Sequence, residues 1–115
     1  MEIKRMHTNN RMSGIVEYND VLYFAGLVSY KETFAEQFEE IVANFEERLT
    51  QAGSDKTRLL TAHIVLTDTA YFDEFNTLWE AWLEGCGTPT RATVIGALVR
   101  PVHKIEIIFT AAAGK

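Results

Sequence analysis

Apolar positions in the first third of the chain alternate with a period of two. Ile3 to His7, Gly14 to Tyr18 and Val21 to Val28 therefore predict three strands, the first at a sheet edge, with Asn19-Asp20 turning the second into the third. From Thr33 the period changes. Phe34, Phe38, Ile41, Val42, Phe45 and Leu49 fall on one helical stripe, while Glu36, Glu39, Glu40, Glu46, Glu47 and Arg48 occupy the rest. Thr33 and Glu36 have the spacing of a capping box, and Gly53 can supply the left-handed residue that ends the helix. Leu59 to Thr67 predicts a fourth strand. Asp68 or Thr69 then caps a second helix with the stripe Phe72, Phe75, Leu78, Trp79 and Trp82, closed by Gly85 and Gly87. Two β-branched strands, Arg91 to Leu98 and His103 to Thr110, finish an order βββαβαββ.

Two helices cover only one face of such a sheet. On the last strands the other face is expected to carry Thr93, Ile95, Ala97, Ile108 and Thr110 beside Arg91 and Glu106, an apolar patch that favours a homo-oligomer. Alternation puts Ile105, Ile107 and Phe109 under the helices and turns Lys104, Glu106 and Ile108 the other way. Arg91 and Glu106 are the two charges embedded in these apolar strands, which the pattern reads as neighbours joined by a short turn. They are the candidate functional pair, with an ion pair or an exposed strand face as the plainer alternative.

The 115 residues fit one domain, 1–115, with no repeat, linker or low-complexity tract. A net charge of -5, with no basic cluster interleaved with aromatics, opposes phosphate backbones, so no nucleic-acid partner is expected. No run reaches transmembrane length and the N-terminus lacks a secretory core, which implies no membrane partner and a cytoplasmic protein. Cys86 stands alone, and His7, His63 and His103 show no zinc spacing. No metal is expected.

Pro89, Arg91 and Val94, followed without a gap by Lys104-Ile105-Glu106-Ile107, resemble the late motif of the RidA family, also called YjgF. Phe72, Asn76, Glu80 and Ala81 match its second helix and Gly26 its early strand. Leu22-Tyr23, Trp79, Ala81-Trp82 and Ala97-Leu98 look closest to the short YoaB-like branch. The similarity covers nearly the whole chain. It implies an α+β, chorismate-mutase-like domain with a mixed sheet and two helices on one face. It also implies a homotrimer with ligand clefts between subunits, and cofactor-free hydrolysis of reactive 2-imino acids and their enamine tautomers to 2-keto acids and ammonia.

By the resemblance, Arg91 grips the substrate carboxylate, Glu106 orients or deprotonates the attacking water, and Thr93, Gly26 and Asn76 belong to the substrate site. The chain departs from the characterised deaminases in several places. Met12-Ser13 stand where the pocket tyrosine is expected, Ala25 and Leu27 flank Gly26 in place of a serine and a glutamine, and Thr93 replaces a frequent cysteine. These changes make the pocket more apolar. Three readings follow: an imine/enamine deaminase, a non-catalytic trimer that binds a small carboxylate, and an interface salt bridge between Arg91 and Glu106.

Overall fold

The computed structural model describes residues 1–114. Six strands form one sheet: β1 (Lys4–Thr8), β2 (Ser13–Tyr18), β3 (Val21–Phe24), β4 (Leu59–Leu66), β5 (Thr90–Ile95) and β6 (Ile105–Ala112). The order across it is β1-β2-β3-β6-β4-β5. Helix α1 (Phe34–Gln51) joins β3 to β4 and α2 (Phe72–Trp82) joins β4 to β5. The sheet is mixed, because β4 and β5 are parallel while the other pairings are antiparallel.

Local sequence accounts for most boundaries. Asn19 and Asp20 both adopt positive φ, the backbone that lets a two-residue turn follow the twist of β2 and β3. Thr33 caps α1, its hydroxyl accepting from the Glu36 amide while Glu36 accepts from the Thr33 amide. The chain leaves α1 through Gly53 at φ 79°. The expected stripe is the one that is buried, with Gln37 added to it. Asp68 caps a short 3-10 turn at Thr69–Tyr71 rather than α2 itself, and α2 continues from that turn.

The core lies between the helices and one face of the sheet. Phe45 stacks on Phe109 with ring centroids 3.8 Å apart, and Ile64, Leu66, Ile105 and Ile107 are fully buried around them. Burying side chains of this size contributes about 1.5–3 kcal/mol each. On the helix-free face Tyr23, Val94 and Ile108 stay 48%, 44% and 36% exposed.

Three expectations need correction. β3 stops at Phe24, and beyond it Leu27 makes an isolated bridge to Ile107, since the chain at Gly26 runs against the Glu106 side chain. Leu60, which strict alternation groups with Ala62, Ile64 and Leu66, is exposed and Leu59 is buried with them instead, because a register shift between Leu59 and Thr61 moves the alternation by one. Most consequentially, β5 and β6 are not neighbours, nor is their connection a short turn. β4 lies between them, and a segment spanning 96–104 connects them.

Candidate functional site

Cross-strand partners share a sheet face, so the register assigns each candidate side chain to a side. Arg91 pairs with Ala62, which pairs with Phe109; Thr93 pairs with Ile64, and Ile95 with Leu66. All of these partners are core residues. Arg91, Thr93 and Ile95 therefore lie on the helix side, not on the bare face where alternation alone had put them. Alternation says which residues share a face, but the pairing decides which face it is. Because β5 is the outermost strand, the helices cover it incompletely, and Ile95 remains 50% exposed.

On that side Arg91 is held from α2. Its Nη1 donates to Asn76 Oδ1 at 2.9 Å, and the guanidinium lies 5.3 Å from the Phe75 ring centre and 6.0 Å from that of Phe72. The spacing of Phe72, Phe75 and Asn76 explains this: positions i, i+3 and i+4 share a helix face, so one turn supplies two rings and an amide to the same cation. Thr93, two residues along β5, buries an Oγ1 that has no hydrogen-bond partner among the described residues. Arg91 also walls an open depression of about 280 Å³ with Thr61, Ala62, His63, Thr90 and Ala92.

Glu106 occupies the other side. It pairs with Val65 in the middle of the sheet and alternates with buried Ile105 and Ile107, so it projects from the bare face as expected. A Cβ on Gly26 would sit 2.9 Å from Glu106 Cδ and 3.2 Å from Ile108 Cγ1, so a side chain there would have to displace the carboxylate. The glycine is what gives the carboxylate its place. Among the described residues the Glu106 carboxylate has no hydrogen-bond or ion-pair partner. His63, opposite Ile108, is its diagonal neighbour across β4 and β6.

The five predicted site residues thus fall into two groups. Arg91, Asn76 and Thr93 share one side of the edge strand; Gly26 and Glu106 share the centre of the opposite face. Two strand spacings and three residues separate Arg91 from Glu106, roughly 14 Å even before the change of face. An intrachain ion pair is excluded by that geometry. Sequence reasoning took Phe72 and Phe75 as core and His63 only as a residue without zinc spacing. The helical spacing around Asn76 was the available signal for the two rings; none was available for His63, which depends on the β4–β6 register.

The sequence model described as Endoribonuclease L-PSP matches residues 2–113. The RutC family protein YoaB of Escherichia coli K12 is 34% identical over 113 residues, covering 97% of this chain and 99% of that protein. A RutC family protein of Haemophilus influenzae is 33% identical over 114 residues, covering 96% and 98%. The crystal structure of NMB1025 from Neisseria meningitidis, a member of the YjgF protein family, superposes with a TM-score of 0.94 at 37% identity, covering 98% of this chain and 96% of that one. The chain belongs to the RidA/YjgF family. Its YoaB-like character and its α+β fold agree with the sequence reading, and the RidA/YjgF sheet is the frame in which Arg91 and Glu106 are separated.

Proposed function

We propose that the protein is an imine/enamine deaminase whose complete site forms between two copies of the chain in a homotrimer. The observation that carries this reading is the split itself. Arg91 sits pre-oriented on an edge strand, Glu106 sits unpartnered in the middle of an apolar face, and neither can reach the other within one protomer. Laying the β5 edge of one copy against the bare face of the next covers Tyr23, Val94 and Ile108 and brings the two charges to one cleft.

In that cleft the guanidinium takes the substrate carboxylate through its remaining donors, since Asn76 holds Nη1. Fixing the carboxylate fixes the imine carbon beside Glu106. Glu106 accepts a proton from water as the water oxygen bonds to the imine carbon, and passes that proton to nitrogen to give a carbinolamine. The hydroxyl proton then moves to nitrogen and the C–N bond breaks, leaving a 2-keto acid and ammonia. Every atom comes from the imine and one water, so the reading requires neither metal nor organic cofactor. That Thr93 Oγ1 is buried without a partner among the described residues supports a role for it in bonding a ligand oxygen near Arg91.

The family description refers to RNA cleavage, but a net charge of -5 argues against a polyanionic substrate for this chain. Among the described residues no helix is long and apolar enough to cross a membrane. A second reading, a trimer that binds a small carboxylate without turnover, is favoured by Val65 and Ile108 around Glu106, which offer a water no hydrogen bonds. The deciding experiment is the rate of 2-iminopropionate hydrolysis, with the imine generated enzymatically and the remainder trapped. Acceleration by wild type that is lost in a trimeric Arg91→Ala supports the deaminase. A folded trimer that accelerates neither this imine nor larger ones leaves only carboxylate binding.

A further inference from the structure

A second cavity lies away from Arg91, past the carboxyl ends of β4 and β5 and at the start of β6. It is an open depression of about 370 Å³, within the size range of small-ligand sites, and is lined by Thr67, Tyr71, Ala97, Leu98, Arg100, Pro101, His103 and Lys104. Its charge is one-sided. Arg100 and Lys104 both line it, no carboxylate does, and neither cation has a hydrogen-bond or ion-pair partner among the described residues. Asp68, next to the lining residue Thr67, turns its carboxylate back onto the Ala70 amide at 2.8 Å, and Glu106, two residues from Lys104, does not line the cavity.

The segment that carries them is firmly held. Gln37 is fully buried and spends its whole amide there: Nε2 donates to Val102 O at 2.8 Å and to Lys31 O at 2.9 Å, and Oε1 accepts from the Lys104 amide at 2.9 Å. His103 is buried with Nδ1 2.8 Å from Ser29 O, and its amide closes a turn onto Arg100 O at 3.2 Å. Across the cavity the Thr67 amide donates to Lys104 O, and Tyr71 stacks on Phe34 with centroids 4.7 Å apart. The backbone beneath both cations is thus fixed before any ligand arrives, which reduces the entropy lost on binding.

We infer that this cavity is an anion site for a compact dianionic group, a phosphate monoester or a dicarboxylate, bound by Arg100 and Lys104 and separate from the Arg91 site. Arg100 supplies a planar fork for two oxygens, Lys104 a point charge for a third, and the Tyr71 hydroxyl a neutral donor. A cavity of this size suits one such group rather than a nucleic-acid strand, which needs a continuous basic groove.

The test is a titration of ¹⁵N-labelled wild type with inorganic phosphate and, separately, with succinate at pH 7.5, each against sodium chloride of equal ionic strength. Saturable shifts confined to residues 67–71 and 96–104 are expected, weakened roughly tenfold by Arg100→Gln and by Lys104→Gln and unchanged by Arg91→Ala. Stronger binding of phosphate points to a phosphate monoester, and stronger binding of succinate to a dicarboxylate. The spectra also report whether each variant is folded. Shifts no larger than those caused by chloride for both anions, or shifts that survive both substitutions, overturn the site. So do shifts abolished by Arg91→Ala alone.

Discussion

The Glu106 carboxylate occupies the space that a side chain at Gly26 would need. The glycine is thus an allowance for the carboxylate rather than a turn residue, and it links an early loop to the central strand of the sheet. Gly26→Ala forces Glu106 to rotate away. The obstacle is the far end of a flexible side chain, so the fold should survive with a small change in Tm. Imine turnover should fall at least tenfold, about 1.4 kcal/mol of transition-state stabilisation. Parallel measurement of Tm and kcat/KM separates the two effects; unchanged turnover with a folded trimer removes Glu106 placement from the mechanism.

Asn76 is bonded to Arg91, so its effect on a ligand is expected to run through the guanidinium. Its Oδ1 takes one guanidinium donor and selects the orientation of the others. With Asn76→Ala, Arg91 keeps its charge and its contacts with Phe72 and Phe75 but loses that bond. Losing a charge-assisted hydrogen bond of this kind should raise KM about threefold to tenfold and lower kcat less. Asn76→Gln, which retains an amide, should recover part of the loss. A fall in kcat alone would give Asn76 a different role.

Gln37 predicts a stability effect without a catalytic one. Gln37→Leu keeps a similar volume but strands the Lys104 amide and the Val102 and Lys31 carbonyls. A loss of about 2–4 kcal/mol in urea unfolding is expected, with a Tm lower by on the order of 10 °C. A loss below about 1 kcal/mol would mean that water replaces the amide.

The capping box gives a pH dependence. The Thr33 amide and hydroxyl hold Glu36 below its usual range, with Lys31 adding a smaller charge effect. A carboxylate depressed on folding adds stability above its unfolded value of about 4.3, and this is lost as pH falls through the lower folded value. Glu36→Gln keeps a side-chain acceptor but removes the charge. Wild type should therefore be the more stable at pH 7, with the difference shrinking below pH 4 and insensitive to pH between 6 and 8. Unfolding curves at several pH values check this.

The sequence was most informative where one residue determines one local geometry. The capping box at Thr33 and Glu36, the Asn19-Asp20 turn, Gly53 and the α1 stripe each hold in the structure, as does the outward direction of Glu106. What sequence did not carry was the pairing of distant strands. Both flanks of β6 are apolar, which is consistent with either an edge or a central place, and its insertion between β3 and β4 is decided by tertiary packing. That insertion separates Arg91 from Glu106. The same limit moved Thr93 and Ile95 to the helix side, because the partners Ile64 and Leu66 belong to a strand 25 or more residues earlier. Asn76 and Gly26 were recognised by family resemblance before the structure supplied their contacts.

Separation of the two charges predicts complementation. Arg91→Ala and Glu106→Gln should each be inactive alone, yet a cleft that takes Arg91 from one copy and Glu106 from the next is intact whenever both contributors carry the needed residue. If the subunits of a 1:1 mixture reassort randomly after denaturation and refolding, about a quarter of the clefts recover both side chains, and about a quarter of wild-type turnover should return. Mixing without refolding should restore nothing until subunits exchange. Failure to recover activity in mixed trimers confirmed by mass spectrometry would place both residues of each cleft on one chain. The protomer geometry denies that arrangement unless β5 leaves β4 on assembly.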